Sequence, residues 1–197
     1  MKIKTFTLLM LCIQFSVLAC KKAPTSEIKE NRRGSTFYVD AKNGDDSNNG
    51  KTPAKAWKSL QKVNGYQFMA GDSLLFKAGD SWKGQLLPKG SGDAKNSIVI
   101  SIYNGTKKAL LDGEGKVSEV LKLEDVDYWE VNHLEITNKA TTIGNRLGVL
   151  VKDNGASRKH IHLKNLYIHD IMGEYSFEMK GKNTGGIGII GTAESKF

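Results

Sequence analysis

Two octets decide the fold: Val131-Asn132-His133-Leu134-Glu135-Ile136-Thr137-Asn138 and Leu163-Lys164-Asn165-Leu166-Tyr167-Ile168-His169-Asp170. They lie 32 residues apart, and apolar residues coincide at 131/163, 134/166 and 136/168. Both fit the pattern x-[VL]-x-[HN]-L-x-I, in which strand-type alternation is interrupted by a bend at His133 or Asn165. Shorter apolar runs at Val120, Val149 and Ile187 recur with them, at intervals of 29 and 38 residues. A repeat of this length is what a coiled sheet produces, each strand lying on the equivalent strand of the previous turn. An antiparallel sandwich also gives short alternating strands, but it does not require the register to repeat.

Outward from the octets the same punctuation continues. Leu74-Leu75-Phe76, Gln85-Leu86-Leu87, Ile98-Val99-Ile100 and Ala109-Leu110-Leu111 are short apolar runs bounded by Gly, Asp or Asn. Further runs cover 120–126, 129–136, 148–151, 160–168 and 185–190. Many short strands without intervening helices predict an all-β domain over residues 35–197. One helix is expected before them, over 54–63. Thr52-Pro53 reads as N-cap and first helical residue, Ala56, Trp57, Leu60 and Val63 share a face, and Asn64-Gly65 ends it.

The N-terminus reads as an export signal over residues 1–19. Lys2 and Lys4 precede an apolar stretch that is broken by Thr7, Gln14 and Ser16. It falls short of the roughly 20 apolar residues that a spanning helix needs. It ends in Val17-Leu18-Ala19-Cys20, which resembles the lipobox of bacterial lipoproteins. The resemblance implies that Cys20 is lipidated and becomes the first mature residue; the alternative is an ordinary signal with an incidental Cys20. Residues 20–34 read as a flexible tether. On this reading the mature protein has no free thiol, because Cys12 leaves with the signal, and cysteine catalysis is excluded. The expected location is the bacterial cell envelope at the outer membrane, with the membrane reached through the lipid.

Charge points away from nucleic acid. The chain carries a formal +8, but residues 1–33 hold 7 Lys/Arg against 2 Asp/Glu, and the remainder holds 22 against 19. The folded part is only mildly basic, which does not indicate a polyanion binder.

From Phe37 onward the chain resembles right-handed parallel β-helix proteins of the pectate-lyase-like superfamily, and within them lipoproteins linked to polysaccharide breakdown. Phe37-Tyr38-Val39-Asp40, Asn43-Gly44-Asp45-Asp46, Trp57-Lys58-Ser59-Leu60, the run from Ala70 through Gly71-Asp72-Ser73-Leu74-Leu75-Phe76 to Lys77, and Asn165-Leu166-Tyr167-Ile168 carry the resemblance. It implies an N-terminal helical cap and a monomer acting on a polysaccharide or oligosaccharide, by polysaccharide lyase or glycoside hydrolase chemistry. The same fold serves non-catalytic glycan-binding and adhesive modules, so the fold does not choose between them. The resembling enzymes use more turns. With Ile187, Ile189 and Ile190 lacking a following turn, the expectation is a truncated chain; a short protein with a partner-covered end, or an inactive fragment, is the alternative.

Candidate chemistry sits on the outward faces of the octets, where a 32-residue register stacks Glu130 on His162, Asn132 on Lys164, Glu135 on Tyr167, Thr137 on His169 and Asn138 on Asp170. In a lyase, Lys164 would neutralise a uronate and His162 or His169 would act as base. In a hydrolase, Asp170 and Glu174 are the carboxylate pair nearest in sequence. Trp82, Trp129 and Tyr175 are candidates to stack on sugar rings, although Trp129 equally suits the core. His133 shares its bend position with Asn165, which reads as a structural side-chain ladder. Asp45, Ser47 and Asn49 alternate as calcium ligands do, but Ala56 stands where the bidentate acid belongs, and an Asx-rich turn explains the loop as well. No other cofactor is expected.

Overall fold

The computed structural model describes residues 34–155, 158–174 and 184–192. The export signal, Cys20, all but the end of the tether, and Tyr175 lie outside the described residues. The described strands form three parallel sheets. The first runs in the order β1 (Thr36–Val39), β2 (Ser73–Lys77), β4 (Ile98–Tyr103), β7 (Trp129–Asn132) and β10 (Ile161–Lys164). The second is β3 (Ser81–Lys83), β5 (Ala109–Asp112), β8 (Leu134–Asn138) and β11 (Tyr167–Ile171), and the third is β6 (Glu119–Glu124), β9 (Leu147–Lys152) and β12 (Gly185–Ile190). Every pairing between these strands is parallel. Parallel neighbours cannot be joined by a tight hairpin. Here the crossover from one strand to its neighbour is the passage through the other two sheets, which the chain visits in rotation from β4 onward.

The rotation works because inward side chains line up. Phe37, Leu74, Ile100, Val131 and Leu163 are successive register partners across the first sheet. Trp82, Leu111, Ile136 and Ile168 form the matching ladder in the second, and Leu121, Val149 and Ile187 in the third. Burying each such side chain contributes roughly 1.5–3 kcal/mol, so a shared core can hold strands only three to six residues long. The corners are set by residues in the left-handed region, among them His133 at φ 58° and Asn165 at φ 50°. Asn and His tolerate that conformation better than branched residues do. The two bends read from the octets are therefore real corners, each splitting an apparent long strand into two.

The expected parallel register holds at Trp129–Asn132 and at Glu135 through Thr137. It fails at Asp170. That residue adopts φ 50° and bulges out, so Ile171 pairs with Asn138. It is also one residue off at Val120, because Leu121 is the partner of Val149. Val120 and Leu121 are both buried, which hides the two-residue period from the sequence. Gln85-Leu86-Leu87 is not a strand but a single bridge from Leu86 to Leu121, whereas Ser81-Trp82-Lys83 is a strand the pattern did not suggest.

The predicted helix over 54–63 is corrected too. Pro53–Lys55 is one 3-10 turn and the α-helix is only α1 (Leu60–Asn64), with Ser59 as its N-cap accepting from the Lys62 N–H at 3.1 Å. Between them Ala56 is extended and Trp57 bridges to Val39 in parallel. Pairing with β1 and stacking of the Trp57 ring on Phe37 at 4.8 Å outweigh helical propensity there. The apolar face is still buried: Trp57, Leu60 and Val63 join Phe37 and Phe68 in the core. Trp82 and Trp129 are buried as well, their ring N–H groups donating to the Lys58 and Gly90 carbonyls. Neither can stack on a sugar.

Candidate functional site

Strand pairing places two polar clusters on the outer faces of β7–β10 and β8–β11. In the first, Glu130 is central. Its Oε1 lies 3.0 Å from His160 Nε2 and its Oε2 accepts from Lys164 Nζ at 3.0 Å. His162 is the register partner of Glu130, and the imidazoles of His160 and His162 have centroids 3.9 Å apart. His160 precedes β10 in the left-handed conformation and is flanked by Tyr128, whose ring stacks at 5.8 Å. Hydrogen bonding from His160 and Lys164 outweighs partial desolvation and holds the Glu130 carboxyl at about 2. Glu130 is therefore an anion at any physiological pH. It can accept hydrogen bonds but has no proton to give.

In the second cluster His169 bridges two acids. Its Nδ1 is 3.1 Å from Asp170 Oδ2 and its Nε2 is 3.2 Å from Glu135 Oε1. Desolvation pulls its pKa down, but the two carboxylates outweigh that and the net direction is up. Asp170, the bulged residue, thus engages the ring of its own neighbour. Tyr167 stacks on His169 at 4.4 Å. Glu174 is exposed, with its N–H on the Gly144 carbonyl, and Asp170 engages His169 rather than Glu174.

The anticipated ladder at the corner is Asn165 on Asn132, at 2.9 Å, and not Asn165 on His133. Lys164 stands beside Asn132 in register, but its ammonium is engaged by Glu130. Sequence reasoning missed His160. His-x-His would put both rings on one face of a continuous strand, but His160 stands at a left-handed corner just before β10, which the sequence did not mark.

In the Asp45–Asn49 loop the side chains satisfy the backbone. Asp45 Oδ1 accepts from the Ser47 N–H at 2.8 Å and Asn49 Oδ1 from the Lys51 N–H at 3.0 Å. Asp46 accepts from the Lys58 and Ser59 N–H groups and the Ser59 hydroxyl. The Asp45 and Asn49 bonds are Asx-type turns, and the longer-range Asp46 bonds pin the loop to the start of α1. A hollow of about 480 Å³ lies beside them, lined by Asp46, Gln61, Lys62, Gly65 and Tyr66, and shares no residue with the two clusters. A smaller apolar hollow of about 260 Å³ lies under His160, between Val151, Ile161, Leu163 and Ile189.

No protein-family model matches the chain. It is 31% identical over 194 residues to a lacto-N-biosidase of Bifidobacterium longum subsp. longum, a match that takes in 71% of this chain and 12% of that protein. Two crystal structures of a GH136 lacto-N-biosidase from Eubacterium ramulus are similar in fold and sequence. The selenomethionine derivative gives a TM-score of 0.72 at 30% identity, covering 84% of this chain and 32% of that one. The native protein gives 0.69 at 28%, covering 80% and 30%. A rhamnogalacturonan lyase structure is alike in fold alone, with a TM-score of 0.50 at 16% identity over 80% of this chain and half of the other. The chain thus spans about a third or less of the length of the lacto-N-biosidases it matches.

Proposed function

We propose that this chain is a right-handed parallel β-helix belonging to a glycoside hydrolase that acts on oligosaccharides, held at the bacterial cell envelope by a lipid on Cys20. The observation that carries the hydrolase reading is the similarity to lacto-N-biosidase over 84% of this chain at 30% identity. The rotation through three parallel sheets supports the helical fold. Lys164 weighs against a lyase, because the charge that would neutralise a uronate is already paired with Glu130.

Glycoside hydrolysis needs one carboxyl group that gives a proton and a second that acts as base or nucleophile, about 5–9.5 Å apart. Glu130 is held too acidic to be the donor. The two polar clusters suit another role, in which ionised carboxylates and imidazoles bind sugar hydroxyls and position the rings.

The test is incubation of the 197-residue chain with an aryl lacto-N-bioside and with neutral and acidic oligosaccharides. Aglycone release, or saturable binding of a neutral oligosaccharide, is the expected result. A product with unsaturated-uronate absorbance would place the chain with the lyases. Neither cleavage nor binding at millimolar ligand would overturn the reading. Fatty-acid labelling that persists in Cys20→Ala would remove the anchor from it.

A further inference from the structure

We propose that Glu130, His160 and His162 form a binding site for a first-row transition-metal ion of the Zn²⁺ type. One donor atom from each of the three lies within 4.8 Å of the other two. Two of these positions are fixed by the backbone, since Glu130 and His162 are register partners on β7 and β10. The third is fixed by its corner: the Trp129 N–H donates to the His160 carbonyl at 3.1 Å, and Tyr128 stacks on the ring. His160 and His162 therefore face the same side of the first sheet, with ring centroids 3.9 Å apart.

The geometry is close to what a metal requires. Zn–N and Zn–O bonds of about 2.0–2.2 Å hold tetrahedral donors roughly 3.3 Å apart. The Glu130–His160 pair already stands at 3.0 Å, and the His162 donor lies within 4.8 Å of both. Two imidazoles and one carboxylate select Zn²⁺, Co²⁺, Ni²⁺ or Cu²⁺ over Ca²⁺ and Mg²⁺, which prefer all-oxygen sites. The cluster faces solvent, so the remaining coordination positions are open to water. Lys164 holds the other oxygen of Glu130 and places a competing cation beside the site, while Oε1 faces His160 Nε2, so a metal would take the place of the hydrogen bond between these two ligands. The second cluster cannot do the same, because the two nitrogens of His169 point to carboxylates on opposite sides of one ring. A metal at the first site would tie β10 to β7 and stabilise the folded chain by preferential binding.

The experiment is calorimetric titration of the tag-free chain with Zn²⁺ after alkylation of its two cysteines, with Co²⁺ absorption reporting coordination. One equivalent of Zn²⁺ should bind and Ca²⁺ should not displace it. His160→Ala, His162→Ala and Glu130→Gln should each weaken binding by about tenfold or more. Lys164→Met should tighten it, and His169→Ala should leave it unchanged. Circular dichroism of each variant separates loss of ligand from loss of fold. Absence of Zn²⁺ binding, or full binding retained in the His160→Ala/His162→Ala double variant, would overturn the proposal.

Discussion

The strands β7–β8 and β10–β11 carry the same apolar pattern and sit at very different depths. Val131, Leu134 and Ile136 are fully buried, whereas Leu163, Leu166 and Ile168 are only partly so. The third sheet repeats the contrast, with Val149 buried and Ile187 and Ile189 on the outer strand at 49% and 61% exposure. The inner strands have a neighbour on each side; β10, β11 and β12 have one among the described residues. In a stacked parallel sheet, alternation fixes which face a residue takes, and the number of flanking strands fixes how deeply it is buried. The two copies should therefore respond differently to the same insult.

The largest expected difference is in the core. Ile136→Ala removes a side chain enclosed between Leu111 and Ile168 and should cost about 2–5 kcal/mol in urea unfolding. Ile168→Ala, at the equivalent place one strand outward, should cost roughly 1 kcal/mol, because its site is half open and can relax. Equal losses would break the comparison and mean that the outer strands are covered in solution.

This contrast also explains what could be read from the sequence. The octets carried the parallel register, both corners and the inward ladder, because a 32-residue repeat with three coincident apolar positions admits few other arrangements. Depth was less legible: nothing in Leu166 or Ile168 distinguishes them from Leu134 or Ile136. The helix over 54–63 was misjudged because Trp57 has a helical spacing but a strand partner in Val39, which is remote in sequence. Asp170 was misplaced because a one-residue bulge leaves no mark on an apolar pattern. At the polar clusters the pairing of Glu130 with His162 followed from register, while the contribution of His160 depended on a left-handed corner.

A smaller effect should mark the other end of the sheet. Asp40 is buried beside β1 and binds Lys77 at 2.6 Å and the N–H groups of Lys42 and Asn43. Desolvation opposes its ionisation, but these partners outweigh it and hold the carboxyl at about 2, below its ordinary 3.8. A depressed folded pKa contributes stability above pH 3.8 that is lost as pH falls toward 2. Glu124 and Glu130, also held at about 2, add to the same acid limb from their ordinary 4.5. Asp40→Asn should cost about 1–3 kcal/mol at neutral pH and make the stability profile between about pH 4 and 2 shallower. An unchanged acid limb would mean that Asp40 does not hold the β1 end.

The smallest effect belongs to His169 on the outer strand, and its sign is opposite. Its folded pKa is raised above 6.5 by Asp170 and Glu135, so its ion pairs stabilise the fold fully below pH 6.5 and are lost as pH rises through the folded value. The three groups are partly exposed, and solvent screening keeps the gain below about 1 kcal/mol. Imidazole NMR titration of the chain should show the His169 resonance titrating above the ordinary value, and Asp170→Asn should bring it down. Unfolding free energy should decline slightly from about pH 6 to 8 in the parent chain and less in His169→Gln. Adding salt should shrink the decline, since an exposed ion pair is screened where a buried one such as Asp40–Lys77 is less so. If salt affected both ends equally, the difference in depth between the first and last strands would not extend to their charges.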